Sequence, residues 1–437
     1  MLEPLIATII LLGLAVFRVP IAIAMIVVGT VGFALLRGVP VALTMLSTTA
    51  FDTVFSYSLS VIPLFIFMGN LLAHSGVASG LFSATQRLVR RLPGGLAMAA
   101  VLSCGGFSAV SGSSLATAAT MSKVAMPSLR RFGYSDSLSA GAIAAGGTLG
   151  ILIPPSVILI IYGILTESDI GLLFLAGIIP GLLGLLGYVL AVWAAVLVNP
   201  KLAPKDYELD DHPVEGLYGV ILSVALFAFI MVGIYGGFFT PIEAAGMGAG
   251  MALLMVVVTG HAKFAEVWQS LMETAISTSM IFLVIIGAEV FSNYINLAGL
   301  PDELASFVEG LDVNAWVVMA MIIVIYLILG TVLESLSMIL LTVPIFYPLM
   351  YQLDFGLDLL YDPEYALIWF GIIVVVVTEV SLITPPVGMN VFVLKATLPD
   401  ISLKTIFKGI LPFWIADILR LLILIAFPAI SLWLVAS

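Results

Sequence analysis

Charge is scarce in this chain. Of its 437 residues only 9% are Asp, Glu, Lys or Arg, where a soluble globular domain carries roughly 25%. Cysteine is almost missing as well. The one thiol, Cys104, lies in Ser103-Cys104-Gly105-Gly106 and excludes an internal disulfide; it reads as a small buried residue. Three histidines, His74, His212 and His261, show no metal-ligand spacing. No G-x-x-x-x-G-K-[ST] loop and no H-E-x-x-H pair occurs, so neither ATP hydrolysis nor zinc-dependent hydrolysis is expected of this chain. No nucleic-acid partner is expected. No long polar stretch leaves room for a separate soluble domain. Met1-Leu2-Glu3-Pro4 has no basic n-region, so the first apolar run reads as structure and not as a cleaved signal.

What is present is apolar: 62% of the residues, with a mean hydropathy of +1.24. A membrane span needs about 20 apolar residues. The clear stretches are Val54–Leu72, Leu138–Leu165, Leu172–Val198, Leu217–Tyr235, Ile242–Thr259, Ala275–Leu297, Ala366–Leu394 and Gly409–Val435. Leu5–Leu36 is interrupted by Arg18-Val19-Pro20 and fits either one broken span or two. Leu96–Leu129 and Ala315–Met350 exceed a single crossing at 1.5 Å per residue. Each carries small polar residues in mid-run: Ser111-Gly112-Ser113-Ser114 in the first, Gly330-Thr331-Val332-Leu333-Glu334-Ser335 in the second. Two half-length helices meeting at a polar tip solve this, provided protein or a water-filled cavity surrounds the tip. The stretch after each is broken by a proline pair, Pro154-Pro155 or Pro385-Pro386. Proline removes a donor and disfavours helix at the residue before it, so free carbonyls are expected there.

These features occur twice. Pro154-Pro155 and Pro385-Pro386 stand 231 residues apart, and at that offset Thr166, Asp169 and Ile170 meet Thr397, Asp400 and Ile401. The tips align at an offset of 221, Ser114 on Ser335. The difference falls in the longer loop Tyr351–Tyr365. The Lys/Arg bias sets orientation. Arg87, Arg90, Arg91, Arg130 and Arg131 flank the first hairpin, and Lys201, Lys205, Lys263, Lys395, Lys404 and Lys408 follow other crossings. All are expected on the cytoplasmic side. Glu167 and Asp169, then Asp302, Glu303, Glu309 and Asp312, then Asp354, Asp358, Asp362 and Glu364 fall outside. Arg37 is the exception. The two halves then enter from opposite faces, an inverted repeat of the kind secondary transporters use. The expected fold is an all-α membrane protein with two re-entrant hairpins and two discontinuous helices. Its parts are scaffold helices over 1–93, a first repeat over 94–198, central scaffold and arm helices over 199–298, and a second repeat over 315–437.

Helix N-termini at such tips suit anions, while unwound carbonyls and hydroxyls suit Na⁺. The Na⁺ candidates of the first half are Ser111, Ser113, Ser114, Gly147, Thr148 and Ile151. Those of the second are Gly330, Thr331, Glu334, Ser335, Thr378, Glu379, Ser381 and Thr384. Thr117, Pro155, Pro386 and Asn390 are candidate substrate contacts, and the Asn390 amide could equally satisfy freed backbone. Single serines and glycines also serve as packing residues between membrane helices. Intramembrane Glu334 and Glu379 suit cation coupling or an ion pair that holds structure. Thr240-Pro241-Ile242-Glu243 reads as a helix-capping box. Glu289 is ambiguous. Lys123 could meet an anionic substrate or snorkel toward the basic loop.

Several stretches together resemble a known family. Gly112-Ser113-Ser114-Leu115-Ala116-Thr117, Gly146 through Ser156 with its Gly-Ile-Leu-Ile-Pro-Pro-Ser run, Tyr162 through Glu167, Thr240 through Ala245, and Leu382 through Asn390 look like the large membrane (M) subunit of tripartite ATP-independent periplasmic (TRAP) transporters. The resemblance runs from about Pro20 to Pro412. It implies Na⁺-driven uptake of a small organic acid, such as a C4-dicarboxylate or sugar acid, by an elevator movement. It implies two partners, a periplasmic substrate-binding (P) protein and a small four-helix membrane (Q) subunit on a separate polypeptide, and the bacterial inner membrane as location. The family often has Asp where Glu334 stands, and Thr where Ile242 stands. A stand-alone ion-coupled anion symporter, or a channel or scaffold, would share many of the same residues.

Overall fold

The computed structural model describes residues 2–17, 19–204, 215–260, 263–310, 313–331 and 333–436. Arg18, Lys205, His212, His261, Asp312 and Val332 lie outside the described residues, as does the side chain of Glu309. Every element is helical among the described residues.

The first apolar run divides into α1 (Leu2–Val16) and α2 (Ile21–Arg37), with Pro20 at the N-cap of the second. Next come α3 (Val39–Phe55) and α4 (Val61–His74), an apolar pair bent by 57° through the short 3₁₀ turn Ser58–Ser60. The apolar run expected over Val54–Leu72 thus belongs to two helices. Pro63, near the start of α4, has no N–H to bond back across the bend. α5 (Val77–Val89) follows. α6 (Gly95–Ser111) and α7 (Ser114–Arg131) are split at Gly112-Ser113; α8 (Asp136–Thr148) and α9 (Val157–Thr166) are split around Pro154-Pro155. α10 (Ile170–Val198), α11 (Glu215–Tyr235) and α12 (Pro241–Val258) are long and apolar. α13 (Phe264–Leu297) starts eleven residues before the expected apolar run, because Glu266 Oε2 accepts from the Lys263 N–H at 2.7 Å and helix-favouring polar residues carry it on. After α14 (Leu300–Gly310), α15 (Ala315–Leu329) and α16 (Ser335–Met350) are split at Gly330–Glu334. α17 (Pro363–Leu382) and α18 (Met389–Thr397) are split around Pro385-Pro386, and α19 (Leu403–Ala426) and α20 (Ala429–Leu432) close the described chain.

Among the described residues six helices are long and apolar enough to cross a membrane, or seven if the bent α3–α4 pair is one span. Most of them are two-thirds open: 28–39% of the spanning window is buried in α10 to α13 and α19, against 94% in α17. α17 is therefore the central helix, apolar all round because protein surrounds it. Close crossings use small residues. A Cβ on Gly29 would stand 2.8 Å from Phe291 Cα, which draws α2 onto α13. A Cβ on Gly141 would stand 2.3 Å from the Gly409 carbonyl oxygen, which draws α8 onto α19. Backbones can come this near only where side chains are absent. Cys104 on α6 is fully buried, its side chain against Gly146 of α8.

The caps explain where the helices begin. Ser113, Ser135, Ser156 and Asp169 accept from the backbone N–H of Ala116, Leu138, Leu159 and Leu172 at 3.4, 3.3, 3.3 and 2.9 Å. The capping box at Thr240 is present. Thr240 Oγ1 accepts from the Glu243 N–H at 3.3 Å, and Glu243 Oε2 accepts from the Thr240 N–H at 2.9 Å.

Candidate functional site

The first tip is the two-residue break Gly112-Ser113 between α6 and α7. α6 stops because Gly112 takes a left-handed backbone (φ 60°), which glycine adopts without strain. Ser113 then caps α7. Ser111 Oγ lies 2.8 Å from Thr117 Oγ1 and ties the two helix ends together. Ser111, Ser114 and Thr117 are buried. The tip rests on backbone: a Cβ on Gly112 would stand 2.9 Å from Pro155 O, one on Gly150 2.8 Å from Ser113 O, and one on Gly69 2.9 Å from Ser111 O.

Beneath it, α8 tightens into the 3₁₀ turn Leu149–Ile151 and stays non-helical to Ser156. Ser156 Oγ donates to the Ile151 carbonyl at 2.5 Å and so satisfies one oxygen that the break frees. Gly147 packs on Ala118 of α7. Thr148 turns the other way: it donates to the Ala145 carbonyl at 2.7 Å and lies 2.9 Å from the Tyr188 hydroxyl of α10.

The second tip has the same plan with different residues. Thr342 Oγ1 donates to the Tyr326 hydroxyl at 2.5 Å, so α16 folds back along α15. Glu334 occupies the N-cap position of α16, the counterpart of Ser113 at the 221-residue offset, yet its carboxylate bonds no backbone N–H there. Its Oε1 accepts from Ser337 Oγ at 3.1 Å. Glu334 and Ser335 are half-buried. Thr331 Oγ1 donates to the Ile328 carbonyl at 2.7 Å. A Cβ on Gly330 would stand 2.2 Å from both Cβ and Oγ of Ser381, so this tip sits against the end of α17. Ser381 Oγ donates to the Thr378 carbonyl at 2.7 Å. Thr384 donates to the Val380 carbonyl at 2.6 Å and accepts from the Trp414 indole N–H at 3.0 Å. Past the break, Asn390 is buried and donates to the Ala144 carbonyl of α8 at 3.1 Å, while its Oδ1 has no partner. Pro155 is buried and Pro386 exposed.

A cavity of about 430 Å³ joins the two tips. Ser111 through Ala116 line one wall and Glu334 through Leu336 another, with Asn70 of α4 and Ser277 of α13 completing the polar surface. The N-termini of α7 and α16, whose first residues are Ser114 and Ser335, both border this space. Each offers unbonded N–H groups and partial positive charge. Of the residues singled out from the sequence, the cavity gathers Ser111, Ser113, Ser114, Ile151, Glu334 and Ser335. Thr117 lies behind Ser111. Gly330 of the second tip packs on Ser381 at the end of α17, Thr331 and Thr384 donate to carbonyls of the helices just before them, and Asn390 and Gly147 face α8 and α7. Asn70 and Ser277 were missed in the sequence. A lone amide inside the apolar run of α4 was the available signal.

Glu379 is elsewhere. Its Oε2 accepts from Arg420 Nη2 at 2.5 Å, and Arg420 Nη2 lies 2.9 Å from Asp417 Oδ1. The Tyr188 hydroxyl donates to Asp417 Oδ2 at 2.7 Å. The cluster joins α8, α10, α17 and α19 through Thr148, Tyr188, Glu379, Asp417 and Arg420, all buried. Asp417 and Arg420 were also missed, though two charges three residues apart inside an apolar run are a legible signal. Among the remaining charges, Glu289 accepts from Thr53 Oγ1 at 3.2 Å, His74 Nε2 lies 3.0 Å from Glu273 Oε2, and Lys123 is exposed. No metal-ligand group of His, Cys, Asp and Glu occurs among the described residues.

The chain as a whole is similar to known proteins. The family description "Tripartite ATP-independent periplasmic transporter, DctM component" matches residues 8–430. The chain is 35% identical over 402 residues to the C4-dicarboxylate TRAP transporter large permease protein DctM of Pseudomonas aeruginosa, covering 90% of each chain. It is 31% identical to the isethionate TRAP transporter permease protein DctMQ of Oleidesulfovibrio alaskensis, covering 88% of this chain and 59% of that one. The solved structure of the Alcanivorax borkumensis YdaH transporter superposes with a TM-score of 0.62 over 91% of this chain and 89% of that chain, at 17% identity, which shows a common fold. With the match spanning nearly the whole chain and the cavity lying between its two tips, this protein belongs to the TRAP transporter large permease family, as an integral membrane subunit for organic acid transport.

Proposed function

We propose that this chain is the large subunit of a Na⁺-coupled importer of a small organic acid, in a bacterial inner membrane. The observation that carries it is the single cavity bordered by the N-termini of α7 and α16. α6–α7 and α15–α16 are then re-entrant hairpins entering from opposite faces, and α8–α9 and α17–α18 are the discontinuous helices of an inverted repeat. In this reading 94–198 and 315–437 form the transport unit. It moves by an elevator displacement against a scaffold of 1–93 and 199–298.

Two ion sites fit the residues present. In the first half the hydroxyls of Ser111, Ser113 and Ser114 lie beside the unwound carbonyls near Ile151. In the second, Glu334 and Ser335 lie beside the end of α17, with Thr331, Ser381 and Thr384 close behind. An oxygen-only set of this kind suits a hard monovalent cation. The cations gather the tips, and the helix N-termini then receive the substrate carboxylate. Order matters: without Na⁺ the Glu334 carboxylate repels the anion, and with Na⁺ beside it the local charge becomes neutral.

A C4-dicarboxylate and isethionate, named for the relatives, are both small organic anions, so the N-terminal pair supplies a general anion contact. The fine choice of ligand belongs to a periplasmic binding protein, which delivers it, and a small four-helix membrane subunit completes the assembly. The test is uptake into proteoliposomes with and without a sodium gradient, and with and without the binding protein. Ser114→Ala and Ser335→Ala are expected to shift the Na⁺ activation curve to higher concentration. Unchanged curves in both variants, or full uptake by this chain alone, would reject the assignment.

A further inference from the structure

The outer face shared by α10 and α19 carries a groove of about 690 Å³ that shares no lining residue with the cavity between the tips. Its floor is made of small residues, Gly187, Ala191, Ala194 and Ala195 on α10 with Ala416 on α19. Its walls are the exposed side chains of Leu186, Leu190, Leu411, Ile415 and Leu419. Arg420 also borders it, but its guanidinium is held inward by Glu379. The space is therefore apolar along its length.

One end differs. α10 ends at Val198, and the 3₁₀ turn Pro200–Leu202 that follows carries Lys201 beside the groove residues Asn199 and Leu202. The α19 stripe of Ile415 and Leu411 runs back one turn to Lys408 and two turns to Lys404. α10 and α19 run antiparallel, Gly184 meeting Arg420 and Tyr188 meeting Phe413, so Lys201 and the two α19 lysines fall at the same end. All three are exposed. Asp136 and Asp400 form their ion pairs with Arg130 and not with these lysines: Asp136 bonds its Nε at 2.8 Å, and Asp400 bonds the same guanidinium. That guanidinium holds the Asp400 carboxyl below the ordinary carboxylate range. The Ser135 N–H donates to the Leu202 carbonyl at 3.0 Å, which ties the Lys201 turn to the start of α8, where Gly409 of α19 packs on Ser137.

We propose that the groove is a binding site for an anionic phospholipid, with an acyl chain along the Gly/Ala floor and the headgroup phosphate over Lys201, Lys404 and Lys408. Charge complementarity selects this occupant. A neutral lipid gains nothing from three lysines at the mouth, and a helix of a partner subunit would leave them facing the headgroup layer unsatisfied. Basic residues at an apolar interhelical groove have this recognition chemistry. The site is separate from the tip cavity, so its test does not depend on the sodium reading.

The experiment is native mass spectrometry of the full chain, with phosphatidylglycerol and phosphatidylcholine of identical acyl chains. The parent is expected to retain phosphatidylglycerol preferentially. The variant Lys201→Ser/Lys404→Ser/Lys408→Ser should lose that preference, at about fivefold per lysine. Ala194→Phe, which fills the floor, should lower retention of both lipids. These substitutions lie on the exposed face, and an unchanged lipid-free melting temperature verifies that they fold. Equal retention of the two lipids by the parent would overturn the proposal, as would a preference that survives loss of all three lysines. Crosslinking of Ala194→Cys to the small membrane subunit would assign the groove to that partner and overturn it equally.

Discussion

Replacing Arg420 by Met tests the buried cluster most directly. Arg420, Glu379 and Asp417 are 3%, 0% and 0% exposed, so they are shielded from bulk solvent. Removing the guanidinium leaves two carboxylates facing each other, with only the Tyr188 hydroxyl still donating to Asp417. Breaking a buried pair by removing one partner costs about 3–5 kcal/mol. Unfolding entropy is about 2 cal/mol/K per residue, so over 437 residues each kcal/mol moves the midpoint by about one degree. The expected loss is therefore about 3–5 °C in thermal unfolding in detergent, followed by tryptophan fluorescence. The triple variant Arg420→Met/Glu379→Met/Asp417→Leu keeps volume and removes all the charge. It should return close to the parent, because uncharged packing replaces a buried ion cluster at little cost. A single variant as stable as the parent would refute the account. So would a triple variant that falls as far as the single one, since removing the two stranded carboxylates would then bring no relief.

Gly330→Ala places a methyl 2.2 Å from Ser381. It should cost about 1–3 kcal/mol of overpacking and lower sodium-driven uptake at least fivefold with expression intact, measured in proteoliposomes; uptake at the parent rate would show that the second tip does not need α17. Gly141→Leu should separate α8 from α19 and lower the melting midpoint more than Gly13→Leu, where nothing lies within 4 Å of an added Cβ; equal midpoints would contradict the close crossing. Glu334→Gln should raise the sodium concentration for half-maximal uptake while leaving the melting midpoint within about one degree, because Ser337 still finds an oxygen partner. Charge reversal at Asp302 and Asp358, both exposed, should weaken stimulation by the binding protein, whereas Asp362→Lys should destabilise the fold, since Asp362 caps α17 at 2.9 Å.

The sequence carried much of this architecture because its breaks are chemical. Proline pairs, a glycine between serines and a Thr-Pro-x-Glu box each fix a local backbone without help from the rest of the chain. What stayed hidden depended on distant packing. Nothing near Thr148 indicates Tyr188, and nothing near Glu379 indicates Arg420, 41 residues on. The cavity's dependence on α4 and α13 was hidden for the same reason, since Asn70 and Ser277 reach it only through the tertiary arrangement. Polar residues in apolar runs were the signal for both. Weighing each by the number of partners it must find would have brought Asp417 and Arg420 forward.

The burial of Cys104 has a practical consequence. Its sulfur lies within α6 against a glycine of α8, so aqueous maleimides cannot touch it in the folded chain. Reporter thiols can be introduced one at a time into the natural background, with no prior mutagenesis. Modification rates at Ser111→Cys and Thr331→Cys, read from either side of a sealed vesicle, then tell which compartment each tip faces, with no signal from the resident thiol.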